Sequence, residues 1–158
     1  MTFSSFLGGD GDDAAYVLSL APDGNIYAGG ATTSVTGFPG MNTPGTVYPN
    51  PVGGIDGFVS VISNNGASVS RSTYIGTDVD DAVYGLKFDR LGFPYIMGQT
   101  YGDWPIKNAT YFNANSKQFI VKLQPDLSTY VYSTIFGKAA SIPSISPVAF
   151  LVDRCENV

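Results

Sequence analysis

Two clusters of aspartate residues are the strongest candidates for chemistry in this sequence. Each cluster places three carboxylates within four positions, beside a glycine or threonine, and the second repeats the first 68 positions later. The clusters are Asp10, Asp12 and Asp13, and Asp78, Asp80 and Asp81. Closely spaced carboxylates on a flexible loop can supply the oxygen ligands that Ca²⁺ requires, so these six residues are candidate calcium ligands.

The same clusters have a simpler interpretation, which we favour. Aspartate side chains form Asx turns and accept backbone N–H groups in loops. A recurring cluster would then shape the connection between one structural unit and the next. Calcium is the one candidate cofactor, and the sequence predicts no other.

Paired carboxylates could also hydrolyse glycosides, which requires an acid and a base or nucleophile on either side of the substrate. Asp12 and Asp13 are adjacent, and adjacent residues of a strand point to opposite faces. Both recur in the second period, whereas an active site is needed once. The sequence contains no histidine to act as a general base and only one cysteine, Cys155, which excludes a multi-cysteine zinc site. We therefore predict no catalytic residue.

Four aromatic residues of the longer loops could stack on sugar rings. They are Phe38, Tyr48, Trp104 and Phe112. Phe38 and Trp104 each precede a proline at matching places in the chain, and Phe112 falls near the place of Tyr48. Repetition of this kind favours packing beneath the loops over ligand binding.

Composition and charge exclude some classes of partner. The chain has 158 residues, a formal charge of −5 and only eight lysine and arginine residues, which are spread along it. Binding to a phosphate backbone requires clustered positive charge, so nucleic acid is not an expected partner. No apolar run approaches the ~20 residues that span a bilayer, so membrane insertion is not expected either.

A repeat runs through the whole chain. Three segments share a pattern of a small residue, two apolar residues and a glycine: residues 5–8, 73–76 and 134–137. The match between the first two periods continues through Tyr16 with Tyr84 and Tyr27 with Tyr95. Self-similarity at a fixed period is typical of repeat architectures.

Each period is predicted to contain four short strands and no helix. Residues 14–20 alternate in polarity and end at a Pro-Asp-Gly-Asn turn, which returns the chain as residues 26–30. Four antiparallel strands in each of several repeats predict an all-β fold of β-propeller blades, and a β-sandwich is the alternative. The division is 2–7 (outer strand of a preceding blade), 13–75 and 81–136 (two blades) and 147–158 (start of a further blade).

About two and a half blades are fewer than a closed ring requires. We therefore expect the chain to be a fragment of a larger ring, with further blades of the same polypeptide or other copies of the chain as partners. The unpaired strands at 2–7 and 148–153 are expected to invite such pairing.

These motifs resemble a known family. The pattern Ser-Thr-Tyr-Ile-Gly followed by Asp-Asp-Ala-Val-Tyr-Gly-Leu at 72–86, with Asp-Gly-Asn-Ile-Tyr at 23–27 and a later Phe-Pro, resembles the SBBP-type β-propeller repeat. In the third period Lys-Ala-Ala-Ser at 138–141 replaces the acidic loop. The resemblance implies a propeller in a large secreted or cell-surface bacterial protein. It implies no reaction.

Two hypotheses of function follow. The first is a non-catalytic structural or adhesive binding module, with a glycan or a surface protein as candidate ligand. The second places these blades in a secreted enzyme that acts on polysaccharide, with its catalytic residues outside this chain. Because successive strands reverse direction, the aspartate loops and the long segments 31–56 and 99–117 are predicted to share one face, where we expect any ligand to bind.

Overall fold

The computed structural model describes residues 4–158, which form two four-stranded antiparallel sheets. Sheet A contains β1 (Asp13–Leu20), β2 (Ile26–Thr32), β3 (Asp56–Ile62) and β4 (Val69–Ile75). Sheet B contains β5 (Asp81–Phe88), β6 (Pro94–Thr100), β7 (Gln118–Leu123) and β8 (Tyr130–Phe136). Strands follow chain order in both sheets, and neither sheet closes on itself. The predicted all-β class and the four-strand periods are confirmed.

The register of the two sheets repeats along with the sequence. Asp13 pairs with Thr32 in sheet A, and Asp81 pairs with Thr100 in sheet B. The first strand of each sheet also has a β-bulge at the same place, which carries Tyr16 in one sheet and Tyr84 in the other. A bulge re-aims the side chain that it carries. The two tyrosines therefore occupy the same unusual position in their sheets.

The strands predicted at the two ends of the chain do not form among the described residues. Residues 2 and 3 lie outside these residues, and residues 4–7 and 148–153 are irregular. A strand needs a neighbour to bond its backbone N–H and C=O groups, and neither described segment is hydrogen-bonded into sheet A or sheet B. Both segments were predicted to pair with blades outside this chain, so their pairing as strands stays a prediction.

The first turn of the third period does form. In the turns at 21–25 and 89–93, the first residue donates its N–H to the carbonyl oxygen of the fifth, at 2.9 and 3.2 Å. The segment 153–157 makes the same bond at 3.0 Å. Glu156 has a φ of 64° where Gly24 and Gly92 have φ values of 87° and 86°. The third period thus begins with the same backbone geometry as the other two.

The sheets pack face to face, and the packing depends on two glycines. A Cβ at Gly29 would stand 2.8 Å from Val83 Cγ1, and a Cβ at Gly57 would stand 3.1 Å from Val83 Cγ2. Beside this contact, the Tyr27 ring meets the Phe88 ring edge-on at 4.8 Å. Absence of side chains at the two glycines lets the first strand of sheet B lie against the middle of sheet A.

The opposite face of sheet A is partly open. Leu18 and Leu20 lie there and are 65% and 70% exposed. The repeat-equivalent residue of Leu18 is Leu86, which is fully buried between the sheets. Equivalent positions in the two sheets thus have opposite environments, according to whether a sheet packs against them.

This difference supplies a matched pair of substitutions. We expect Leu86→Ala to lower the free energy of unfolding by about 2–5 kcal/mol, because it leaves a cavity in the core. Leu18→Ala should change it by less than about 0.5 kcal/mol, since the side chain is exposed. Urea denaturation followed by circular dichroism measures both. Equal losses for the two variants would contradict the packing of sheet A on sheet B.

Candidate functional site

The aspartate loops and the long loops lie on one face of the molecule, as predicted. The first aspartate loop bonds to the long segment of sheet A: Asp10 donates its N–H to the Thr36 carbonyl at 3.1 Å, and the Asp12 carbonyl accepts the Thr33 N–H at 2.9 Å. In the second loop, the Asp80 carbonyl accepts the Tyr101 N–H at 3.0 Å. Short strands between reversing turns produce this arrangement, so the candidate site is a cluster of loops at one end of both sheets.

Asp13 closes the connection into the first strand of sheet A. Its Oδ2 accepts the Gly9 N–H at 2.8 Å, four residues back along the chain. The hydroxyl groups of Thr32 and Ser34 donate to the same carboxylate, with Ser34 Oγ 3.0 Å from each of its oxygens. Both carboxylate oxygens therefore have donors within the protein.

Asp81 closes the connection into the first strand of sheet B in the same way, but its donors differ from those of Asp13. Its Oδ2 accepts the Thr77 N–H at 2.6 Å and the Thr77 hydroxyl at 2.9 Å. The residue equivalent to Ser34 is Gly102, which has no hydroxyl to offer. Oδ1 of Asp81 is buried without a hydrogen-bond partner, although the Thr100 hydroxyl is close enough to lower the pKa of the group.

The other four aspartates of the clusters have different roles. Asp10 Oδ1 accepts the N–H groups of Val35 and Thr36 at 2.9 Å each, and these bonds hold its pKa below the ordinary value. Asp80 Oδ1 accepts the Ile55 N–H at 3.1 Å and so connects the two sheets. Within residues 4–158, the carboxylates of Asp12 and Asp78 have no bonded donor. Four of the six candidate aspartates thus accept backbone N–H groups.

The structure does not gather the six aspartates into one cluster. Among the residues that it describes, no group of three or more acidic, histidine or cysteine side chains is placed to hold a metal ion. The internal hydrogen bonds already occupy part of the carboxylate oxygens. Calcium binding by Asp10, Asp12, Asp13, Asp78, Asp80 and Asp81 stays a prediction.

A buried acidic residue that the sequence analysis did not single out lies next to Asp81. Asp56 begins β3, is 2% exposed, and accepts the N–H groups of Val52 and Gly53 at 3.0 and 3.1 Å. A Cβ at Gly76 would stand 2.7 Å from Asp56 Oδ1 and 2.9 Å from Asp81 Oδ2. Burial raises the pKa of both carboxyl groups, and for Asp81, which Asp56 also affects, it reaches about 6.

Three of the four candidate aromatic side chains are packing residues. Phe38 is buried and lies 4.9 Å from the Phe58 ring, and Tyr48 is partly buried and packs against the core. Trp104 stacks on Phe119 at 3.7 Å and donates its indole N–H to Ser133 Oγ at 2.8 Å. Phe112 is different, since it is 51% exposed.

A cleft that the sequence analysis missed lies between the first strands of the two sheets. It has a volume of about 260 Å³, and three tyrosines and two aspartates are among its lining residues. These are Tyr16, Tyr84, Tyr101, Asp80 and Asp81. The signal in the sequence was the recurrence of tyrosine at 16 and 84, but only the bulged strands bring the two rings together, at 5.1 Å.

The fold and the site define an all-β protein of two stacked antiparallel sheets with a loop-lined cleft between them. Neither a known protein-family model nor a curated protein matches this chain. The SBBP resemblance therefore stays a prediction from the motifs. Among residues 4–158, no helix combines the length and hydropathy needed to cross a bilayer.

Replacing residues 77 and 102 by their equivalents from sheet A tests how hydrogen bonds to Asp81 stabilise the turn. A Cβ at Gly102 would stand 2.7 Å from Thr77 Cβ, so Gly102→Ser should lower the free energy of unfolding by about 1–3 kcal/mol. Thr77→Gly alone should also be destabilising, because it removes the hydroxyl. The double variant recreates the Gly9–Ser34 arrangement of sheet A and should recover stability. Urea denaturation of all four proteins gives the coupling energy, and simple additivity would contradict this account.

The raised pKa of Asp81 predicts a pH dependence of stability. The folded protein holds this proton more tightly than the unfolded chain, so stability from this group is lost as pH rises from about 4 through about 6. The loss at neutral pH amounts to about 3 kcal/mol. Relative to Asp81→Asn, the unmodified protein should therefore lose stability over this range in urea denaturation. A constant difference between the two proteins from pH 4 to pH 7 would contradict the assignment.

Proposed function

We propose that this chain is a non-catalytic structural and binding module made of β-propeller blades, in a secreted or cell-surface protein. The observation that carries the proposal is an interface that the chain uses twice. In the first use, the β5 strand of sheet B packs against the middle of sheet A. Repetition of one interface is how repeat proteins bury their cores, because each unit contacts its neighbours.

The second use involves the start of the third period. The Phe150 ring lies over Gly85, where a Cβ would stand 2.8 Å from the ring carbon Cδ1. Glu156 Oε2 lies 2.8 Å from Lys122 Nζ and accepts the Tyr95 hydroxyl at 3.0 Å. Lys122 also pairs with the buried Asp89 carboxylate at 2.8 Å. The third period thus covers the face of sheet B that corresponds to the face of sheet A covered by β5.

One face of this interface, on the inserting side, stays partly open among residues 4–158. The face of sheet A that carries Leu18 and Leu20 corresponds to the face of sheet B that packs on sheet A. Its natural occupant is a further sheet of the same repeat, from the same polypeptide or from another copy of the chain. This supports a role as a stacking unit in a larger ring.

The geometry of the buried carboxylates supports a non-catalytic role. A glycosidase needs space for a sugar or a water between its two carboxyl groups. Asp56 and Asp81 both face Gly76, where a Cβ would stand 2.7 Å from Asp56 Oδ1 and 2.9 Å from Asp81 Oδ2, and each residue is only 2% exposed. Burial of both residues gives the pair no open space for a sugar between them. A hydrolysis screen on polysaccharides should accordingly release no reducing sugar.

The uncovered face predicts association. The chain should form concentration-dependent oligomers through it in size-exclusion chromatography with light scattering. Leu18→Lys/Leu20→Lys should shift the population to monomer, because lysine ammonium groups do not bury well between sheets. Leu91→Lys is the control, since Leu91 is 74% exposed but lies in a turn of sheet B. A monomer at all concentrations, unaffected by either change, would contradict stacking between copies.

A further inference from the structure

The cleft between the first strands has a chemical character that points to a ligand. Tyr16 and Tyr101 are each 52% exposed, so their rings are accessible. Burial raises the pKa of the Tyr84 hydroxyl, and the nearby Tyr16 and Tyr101 raise it further. The tyrosines therefore form one group of aromatic rings. The negative face of an aromatic ring attracts a cation.

The polar groups of the cleft have an excess of hydrogen-bond acceptors. Asp81 Oδ1 has no partner, and Asp80 Oδ1 accepts only one backbone N–H. Gln99 uses its amide N–H on the Ile145 carbonyl at 2.7 Å, which leaves the amide oxygen. Among the described residues, no lysine or arginine lines the cleft. A ligand that fits these groups must donate hydrogen bonds, and a positive charge on it would face two carboxylates.

The repeat supplies an internal comparison. Asp13 occupies the position of Asp81 in sheet A, and the hydroxyls of Thr32 and Ser34 donate to its oxygens. In sheet B, Gly102 replaces Ser34 and the Thr77 hydroxyl donates instead, but it reaches only Oδ2 of Asp81, whereas Ser34 lies 3.0 Å from both oxygens of Asp13. The unfilled acceptor is thus specific to the cleft between the sheets.

We propose that this cleft binds a primary ammonium group, of the kind carried by a small alkylamine or by a lysine side chain of a partner protein. An ammonium has three N–H donors and no acceptor, which matches the surplus of oxygens on Asp80, Asp81 and Gln99. Its charge is attracted to the carboxylates and to the tyrosine faces. A neutral sugar could donate hydrogen bonds to these oxygens, but it carries no positive charge to pair with the carboxylates.

The test is a titration of the full chain with butylammonium chloride at constant ionic strength, followed by NMR of the tyrosine rings. We expect saturable shifts at Tyr16, Tyr84 and Tyr101. Tyr101→Ala and Asp80→Asn should each weaken binding by about tenfold. Asp12→Asn is the matched control, because Asp12 is the repeat equivalent of Asp80 and does not line the cleft.

A second arm separates the sources of the amine. An N-acetyl-lysine amide that binds more tightly than butylammonium identifies a protein lysine as the ligand, and the reverse order identifies a free amine. The proposal is overturned if butylammonium causes no saturable shift, if butanol or glucose binds equally well, or if Asp12→Asn weakens binding as much as Asp80→Asn. Saturable shifts of the same tyrosines by Ca²⁺, with none by butylammonium, would assign the cleft to the metal instead.

Discussion

The insertion of Val83 against two glycines is the contact on which the rest of the structure depends. Gly29 and Gly57 leave a flat area in the middle of sheet A, and the first strand of sheet B lies on it. Once this strand is in place, its bulge sets Tyr84 beside Tyr16 and forms one wall of the cleft. A larger residue at either glycine would separate the sheets and dismantle the cleft with them.

The same contact also restricts the path of the chain between the two sheets. The chain leaves sheet A through Gly76 and must enter β5 within a few residues. Asp81 reaches back to bond the Thr77 N–H and so fixes this short path. The cost is a buried carboxylate with a raised pKa and one oxygen without a partner. That cost is tolerable in a fold whose stability comes mainly from the apolar interface.

Much of this architecture could be predicted from the sequence, because it follows from local patterns. The repeat revealed the four strands of each period, and the turn residues placed the hairpins. Residues 4–7 and 148–153, predicted to pair with other blades, are irregular in this structure, since a strand forms only where a neighbour is available. The turn at 153–157 formed as in the other periods because its bonds are local.

The candidate site was less predictable than the fold. The sequence identified the aspartate clusters and their role in turns but treated Asp13 and Asp81 as equivalent. Their difference arises from two exchanges, Thr77 for Gly9 and Gly102 for Ser34, across a contact between distant parts of the chain. Asp56 could not be recognised as a site residue from the sequence, because the groups around it come from the loop before it and from Gly76. The cleft could not be predicted from the sequence, because it forms only where the two bulged strands meet.

The central claim is that the two sheets stack through the first strand of sheet B. Nuclear Overhauser effects between aromatic protons test it most directly. The structure predicts contacts from the Tyr27 ring to the Phe88 ring, and from Tyr16 to Tyr84, since the ring centres are 4.8 and 5.1 Å apart. Absence of both contacts in a spectrum that shows the Trp104–Phe119 contact within sheet B would contradict the stacking.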